Sequence, residues 1–398
     1  MIRLMARLTR ALIVALAFTL VAVAAQAASP GFQQARSDRA KAAALAAQAD
    51  AAASAGHVDE SRRLMEDAAG AAPDWAELQV NLAAARSQTG DYAGAIAAAR
   101  AALALDATLD GARFNLGLAQ LKSGDAAGAA VTLSSYAAAE RVPPDVRAAL
   151  GLALAQTDRA VEAVPVLQRA VRDGSRSPMV LLALGDACIE TRNLDGARDA
   201  LRLLQAVAPS AAGTLLLDGD LADASQDWTA ASAAYRSAAA ADPTSARARR
   251  SVGMIEYKLR DYAAASRDLR AAVAMDPGDV WARYYLALIA LESGDAASAA
   301  ATLERATAAA PRRADLWRDL GRARLDLNDP PSAIAALTRA VTLAPADASA
   351  WFQLGRALQK AGKASDARQA FAKAQTLNRT ERAALQKKVS GGAMDDRR

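Results

Sequence analysis

At 398 residues the chain is too long for one ordinary hydrophobic core, and it has only 23 Gly, 13 Pro, 5 Trp, 7 Tyr and 5 Phe. Its wealth of Ala, Leu and Arg favours helix, because those side chains lose little freedom there. The 48 basic and 43 acidic residues leave a net charge of +5, which falls to +2 (45 against 43) once Arg3, Arg7 and Arg10 at the very start are set aside, so nucleic-acid binding has little support. A single Cys excludes an internal disulfide, and one His with one Cys is too few for a His/Cys zinc cluster; no Ser-His-Asp set or Cys-His pair is expected of His57 and Cys188, which lie far apart in the sequence.

Residues 1–27 read as a secretory signal peptide. Arg3, Arg7 and Arg10 precede an uncharged apolar run at 11–25, and "AQA" at 25–27 offers small residues for a cut before Ala28. The run is short for a bilayer span of about 20 residues. No Cys follows it and no twin-Arg pair precedes it. The expectation is export by the general route to the periplasm or beyond, with no permanent membrane anchor. Residues 28–41 read as a leader helix or linker.

From residue 42 the chain repeats itself. "DLWRDLGRARL" at 315–325 and "SAWFQLGRALQ" at 349–359 share Trp, Leu and Gly at one constant offset, Trp317 with Trp351, Leu320 with Leu354 and Gly321 with Gly355. Carried back without insertions, the offset gives ten repeats: 42–75, 76–109, 110–143, 144–177, 178–211, 212–245, 246–279, 280–313, 314–347 and 348–381. Position eight of each is Gly or Ala, as in Gly117, Gly151, Gly321 and Gly355. Position seven is Leu or Val in eight of ten, with Gln48 and Asp218 departing. Position thirty-two is Pro in six, from Pro73 to Pro345, where Pro ends a helix. Gly90-Asp91, Gly124-Asp125, Gly294-Asp295 and Asn328-Asp329 mark turns at positions fifteen and sixteen. Residues 382–398 follow the repeats: "TERAALQKKV" (380–389) reads as a capping helix with Thr380 as its N-cap, and "GGAMDDRR" as a frayed tail.

These residues resemble the tetratricopeptide repeat, two antiparallel helices in a unit of about 34 residues. The resemblance covers 42–381 and implies an all-α, right-handed superhelical solenoid. One helix pair cannot bury its apolar stripe alone, whereas stacked pairs can. Tyr136 and Leu204, in place of Ala at position twenty-seven, suggest a local change of repeat spacing. Asp218, Asp220 and Asp223 do not share a helix face well, so no metal is expected there. Cys188, at position eleven, reads as a small core residue. No segment outside the repeats is long enough for a catalytic domain, so no enzyme, catalytic residue, cofactor or metal is expected.

In this family the first helix of each pair lines the concave groove through positions two, five, six, nine, twelve and thirteen. The resemblance therefore turns Trp281, Tyr284 and Tyr285 toward the groove, while Trp317 and Trp351 at position four pack between helices. Arg250, Tyr257, Arg318, Arg322, Phe352 and Arg356 fall on the same face, an Arg and aromatic mixture enriched at binding hot spots. A second, weaker groove candidate comprises Asn81, Phe114, Asn115 and Leu118. In some family members an Asn at position six bonds the backbone of an extended peptide. Charge divides along the chain: residues 28–245 carry 19 basic and 26 acidic groups, and residues 246–381 carry 21 and 15. That asymmetry would steer an acidic partner to the C-terminal half. The sequence thus points to an exported, non-catalytic scaffold holding an extended or helical segment of a partner protein, for assembly of an envelope, secretion or pilus machine. The alternative is a scaffold for an exported anionic polysaccharide.

Overall fold

The computed structural model describes residues 30–139 and 142–395, with side chains described from 33 to 139 and from 142 to 383. The signal-peptide segment 1–27 lies outside the described residues. Every regular element among the described residues is helical. The chain divides into two compact units, residues 1–200 and 201–398.

The first unit contains α1 (Pro30–Ser54), α2 (Val58–Ala71), α3 (Ala76–Gln88), α4 (Tyr92–Leu105), α5 (Asp110–Lys122), α6 (Ala126–Leu133), α7 (Pro144–Ala155), α8 (Ala160–Arg172) and α9 (Pro178–Glu190). Helix α10 (Leu194–Val207) contains the boundary between the units. The second unit continues with α11 (Ala212–Ala224), α12 (Trp228–Ala241), α13 (Ala246–Lys258), α14 (Tyr262–Met275), α15 (Val280–Glu292), α16 (Ala296–Ala309), α17 (Ala314–Asp326), α18 (Pro330–Leu343), α19 (Ala348–Lys360) and α20 (Ala364–Asp395). Odd-numbered helices are the first of each pair and even-numbered helices the second. Within the second unit each first helix also touches the next, α13 on α15, α15 on α17 and α17 on α19, so their outer flanks form one continuous face.

The columns of the repeat have direct physical causes. A Cβ on Gly219 would stand 2.4 Å from the Tyr235 ring, and one on Gly355 would stand 2.6 Å from Phe371. Position eight is small because the large residue at position twenty-four lies on it. Position fifteen adopts a left-handed backbone in all ten repeats. Five are Gly, with φ from +76° to +90°, and five are Asp158, Arg192, Gln226, Arg260 and Asn328, with φ from 55° to 64°. This residue turns the chain out of the first helix. The Asp that follows caps the second: Asp91, Asp125, Asp227, Asp261, Asp295 and Asp329 each accept a backbone N–H three residues on. At position four, the Trp317 and Trp351 indoles donate to the Pro311 and Pro345 carbonyls at 3.0 and 2.9 Å, pinning the loop that enters each repeat.

Some expectations need correction. Thr380 caps nothing: α20 runs unbroken from Ala364 to Asp395, and the Thr380 hydroxyl donates to the Thr376 carbonyl one turn back. Helix thus continues into "GGAMDDRR" as far as Asp395. At the other end, α1 crosses residue 41 without a break. Tyr136 does not alter the spacing, since α5 and α7 still start at Asp110 and Pro144. Instead it ends the second helix early: α6 stops at Leu133 and a 3-10 turn, Ser134–Tyr136, follows. The phenol is too large for an Ala column and swings out to donate to the Asp110 carboxylate at 2.8 Å. Leu204 fits within a full-length α10 and is buried.

Candidate protein-binding groove

The face made by α13, α15, α17 and α19 carries the aromatic group singled out in the sequence, but it treats the three rings differently. Trp281 is 46% exposed. The Arg313 guanidinium lies over its ring, 3.6 Å from the centroid, and is held there by an ion pair with Asp315. Such a stack is a cation–π contact. Arg313 was not legible as a groove residue because it stands at the last position of repeat eight, in the loop before α17.

Tyr284, in contrast, does not face the groove. It is 8% exposed and belongs to the core between repeats eight and nine. Its hydroxyl donates to Asp319 at 2.8 Å, and Arg318 closes on the same carboxylate at 3.1 Å. Position five is covered here because the next first helix, α17, comes down on it. Tyr285 is half-buried and continues inward: its ring meets Tyr257 edge-on at 5.3 Å, and Tyr257 meets Tyr262 at 5.5 Å. Burial pushes the phenols of Tyr257, Tyr284 and Tyr285 above the ordinary range, so all three stay neutral donors at physiological pH.

The groove arginines are largely engaged within the protein. Arg250 donates to Asp279 at 3.1 Å, and Arg318 donates to Asp347 at 3.1 Å. Both are position-five residues reaching the Asp that caps the following first helix; Asp279 caps α15 and Asp347 caps α19. Arg322 pairs with Glu292 at 3.6 Å, and Arg356 donates to Gln353 at 2.9 Å. The charges of Arg250, Arg318 and Arg322 are therefore compensated locally, and these three brace neighbouring repeats. Arg250, Tyr257, Trp281, Tyr285, Arg318 and Arg322 line one surface across repeats seven to nine, with Tyr284 buried beneath it. Phe352 and Arg356 stand apart in repeat ten, where Phe352 is 49% exposed and packs on Phe371 at 5.5 Å.

The weaker groove is in the first unit. Asn115 is half-buried and donates to the Val80 carbonyl of α3 at 3.1 Å, so its amide is committed to joining two first helices. Asn81 is exposed, and Phe114 and Leu118 are half-buried beside Asn115. Sequence reading passed over the flank of α7 and α9, where Leu152, Met179, Leu182 and Glu190 line a cleft of about 250 Å³.

The acidic run of repeat six is explained by its neighbours. Asp220 accepts from Tyr235 at 2.7 Å and from Arg247 at 2.9 Å, and Asp223 pairs with Lys258 at 2.5 Å. Among the described residues no three His, Cys, Asp or Glu side chains are grouped to hold a metal ion. Cys188 is fully buried, and burial pushes its thiol up to about 11. His57 is exposed, 3.5 Å from Glu60.

Models of the tetratricopeptide repeat match residues 46–110, 114–178, 148–212, 216–265, 256–323 and 318–382, well over half of the chain. The chain belongs to the tetratricopeptide repeat family. Such proteins are in general non-catalytic scaffolds that bind other proteins, and the fold is the all-α solenoid of helix pairs described above. No curated protein matches the sequence. Similar solved structures include a crystal structure of MamA, 23% identical over 42% of this tetratricopeptide repeat chain and 96% of that one, with a TM-score of 0.38. Another is MamA from residue 41 onward of Desulfovibrio magneticus RS-1, 21% identical over 42% and 96%, with a TM-score of 0.40. A third is the APC/C hetero-tetramer Cut9-Hcn1, 13% identical over 85% and 87%, with a TM-score of 0.48.

Proposed function

We propose that this tetratricopeptide repeat protein is an exported, non-catalytic scaffold that holds a segment of a partner protein against the first-helix face of repeats seven to nine. The observation that carries the reading is Trp281: a large ring, half in solvent, fixed in orientation by the Arg313 stack above the Tyr284–Tyr285–Tyr257 ladder. A rigid aromatic on a pre-organised face supplies contact area at little entropic cost. Export rests on the pattern of residues 1–27, and an envelope, secretion or pilus machine is the setting that pattern fits. The scaffold reading is preferred to a polysaccharide track because Arg313 already occupies one face of Trp281, the ring of this surface that stands furthest into solvent for a sugar to stack on.

The compensated arginines change the character expected of the partner. A segment that inserts an apolar side chain beside Trp281 suits this face better than one recognised by acidity alone. The test is site-specific photo-crosslinking in intact cells, with the probe replacing Trp281 and, as control, the exposed Ala97 on α4. A discrete protein adduct at Trp281 and none at Ala97 is expected. An adduct that survives protease and yields to glycosidase would hand the groove to polysaccharide. A correctly folded, exported protein with no adduct at Trp281 would end the groove reading.

A further inference from the structure

The far end of the second unit presents a position built like an interface but left uncovered. In repeat eight, the aromatic at position five is capped by the next first helix, and Tyr284 is 8% exposed. In repeat ten the same column is Phe352, 49% exposed, and among the described residues no helix stands over it. Phe352 and Phe371 form the floor of a cleft of about 820 Å³ that runs along α20.

The walls of that cleft are basic. Arg368, Arg379 and Arg382 line it, together with Gln375 and Asn378. None of the three arginines makes an ion pair or hydrogen bond among the described residues, unlike the braced arginines of the groove. They lie on one flank of α20. Arg379 and Arg382 are a turn apart, and Arg368 stands three turns earlier, about 16 Å away at 1.5 Å per residue. The preceding repeat shows the contrast: at the columns of Arg368 and Gln375, α18 offers Ile334 and Val341, which pack in the core shared with α19. At these two columns the preceding repeat is therefore apolar and packed, where α20 is polar and open.

We propose that this cleft docks an acidic amphipathic helix of a partner protein, in the place that a further first helix would take. Its apolar stripe covers Phe352 and Phe371, and its carboxylates reach Arg368, Arg379 and Arg382. Charge complementarity selects the occupant: a neutral or basic helix would leave three guanidinium groups uncompensated beside buried rings. This surface is separate from the Trp281 groove, so either proposal can fail alone.

The test uses the full chain and a fluorescein-labelled peptide with the sequence of α17, Ala314–Asp326, carrying Arg318→Glu, Arg322→Glu and Arg324→Glu. Binding is read by anisotropy. Binding that weakens as salt rises is expected, with at least a tenfold loss in the double variant Arg379→Glu/Arg382→Glu and no change in Trp281→Ala. Both arginines are exposed, so the double variant should fold normally, and its circular dichroism would verify this. Phe352→Ala, tested alongside, is expected to weaken binding without weakening the salt dependence. No binding, or equal binding of a peptide that keeps its arginines and carries Asp315→Lys and Asp319→Lys, would overturn the proposal. So would self-association of the unliganded chain that Arg379→Glu/Arg382→Glu abolishes, since the occupant would then be a second copy.

Discussion

Tyr284 and Phe352 occupy the same column of the repeat, and their surroundings are opposite. Around Tyr284 a following helix has arrived, bringing Asp319 to accept the hydroxyl and Arg318 to balance the carboxylate. Around Phe352 no described helix has arrived, and the ring rests on Phe371 with half its surface in solvent. The repeat therefore does not fix the fate of a residue; its neighbour in the stack does. An aromatic at position five is core where a following first helix covers it, as at Tyr284, and half in solvent where no described helix does, as at Phe352.

The sharpest way to break this comparison is to remove the acceptor on the covered side. Asp319 is 7% exposed and holds both Tyr284 and Arg318. Asp319→Ala leaves a buried phenol and a half-buried guanidinium without it, and a loss of about 3–5 kcal/mol is expected in urea unfolding. Arg368→Ala, on the uncovered side, should stay within about 0.5 kcal/mol of wild type. Similar values for the two would mean that the Tyr284–Asp319–Arg318 triad contributes no more than a solvated surface.

Close packing offers a second contrast. Gly219→Ala drives a methyl to 2.4 Å from the Tyr235 ring, which is buried on all sides, and should cost about 1–3 kcal/mol. Gly355→Ala makes a similar clash with Phe371, at 2.6 Å, but that ring borders the open cleft and can move outward. The second substitution is expected to cost less than the first. The reverse order would show that α20 is held more rigidly than its exposure implies.

Smaller effects follow at the rings themselves. Tyr284→Phe removes one hydrogen bond while Arg318 still satisfies Asp319, so about 1–2 kcal/mol is expected. Phe352→Leu, in a site already half-solvated, should change stability by less than about 1 kcal/mol. Thermal melts of both, alongside the peptide titration, would separate a structural ring from a binding one.

The helices and their pairing were legible because they depend on columns: Leu at seven, Gly or Ala at eight and Pro at thirty-two recur at one interval, and each has a local steric cause. The groove was legible in part. Trp281 could be placed from the repeat alone. Tyr284 could not, because its burial depends on α17 coming down on it, and Arg313 could not, because it stands in a loop rather than on a helix face. The arginines look like an anion-binding surface in sequence. Their pairing with Asp279, Asp347 and Glu292 depends on partners in the neighbouring repeat that only the stacked fold brings near. At the C-terminal end the break expected at Thr380 does not form: a Thr before Glu-Arg-Ala suits a cap, yet nothing there stops the preceding helix.

The smallest predicted effect concerns the turn at position fifteen, where the repeat demands one backbone shape from different residues. Gly294 takes it freely, whereas Arg260 must hold φ at +63° with a Cβ in place. A left-handed L-residue is strained by about 1–2 kcal/mol. Arg260→Gly relieves that strain but raises the freedom of the unfolded chain, which takes back about 0.5–1 kcal/mol. The expected balance is a gain of about 0.5 kcal/mol. Asn328→Gly should gain less, because Asn enters this region more readily than Arg. Arg260 is exposed, so a lost contact does not cloud the comparison. Urea midpoints of the two variants would test it. A gain for Arg260→Gly larger than for Asn328→Gly is the expected result, and equal shifts would show that the turn is shaped by its flanking helices rather than by the residue that makes it.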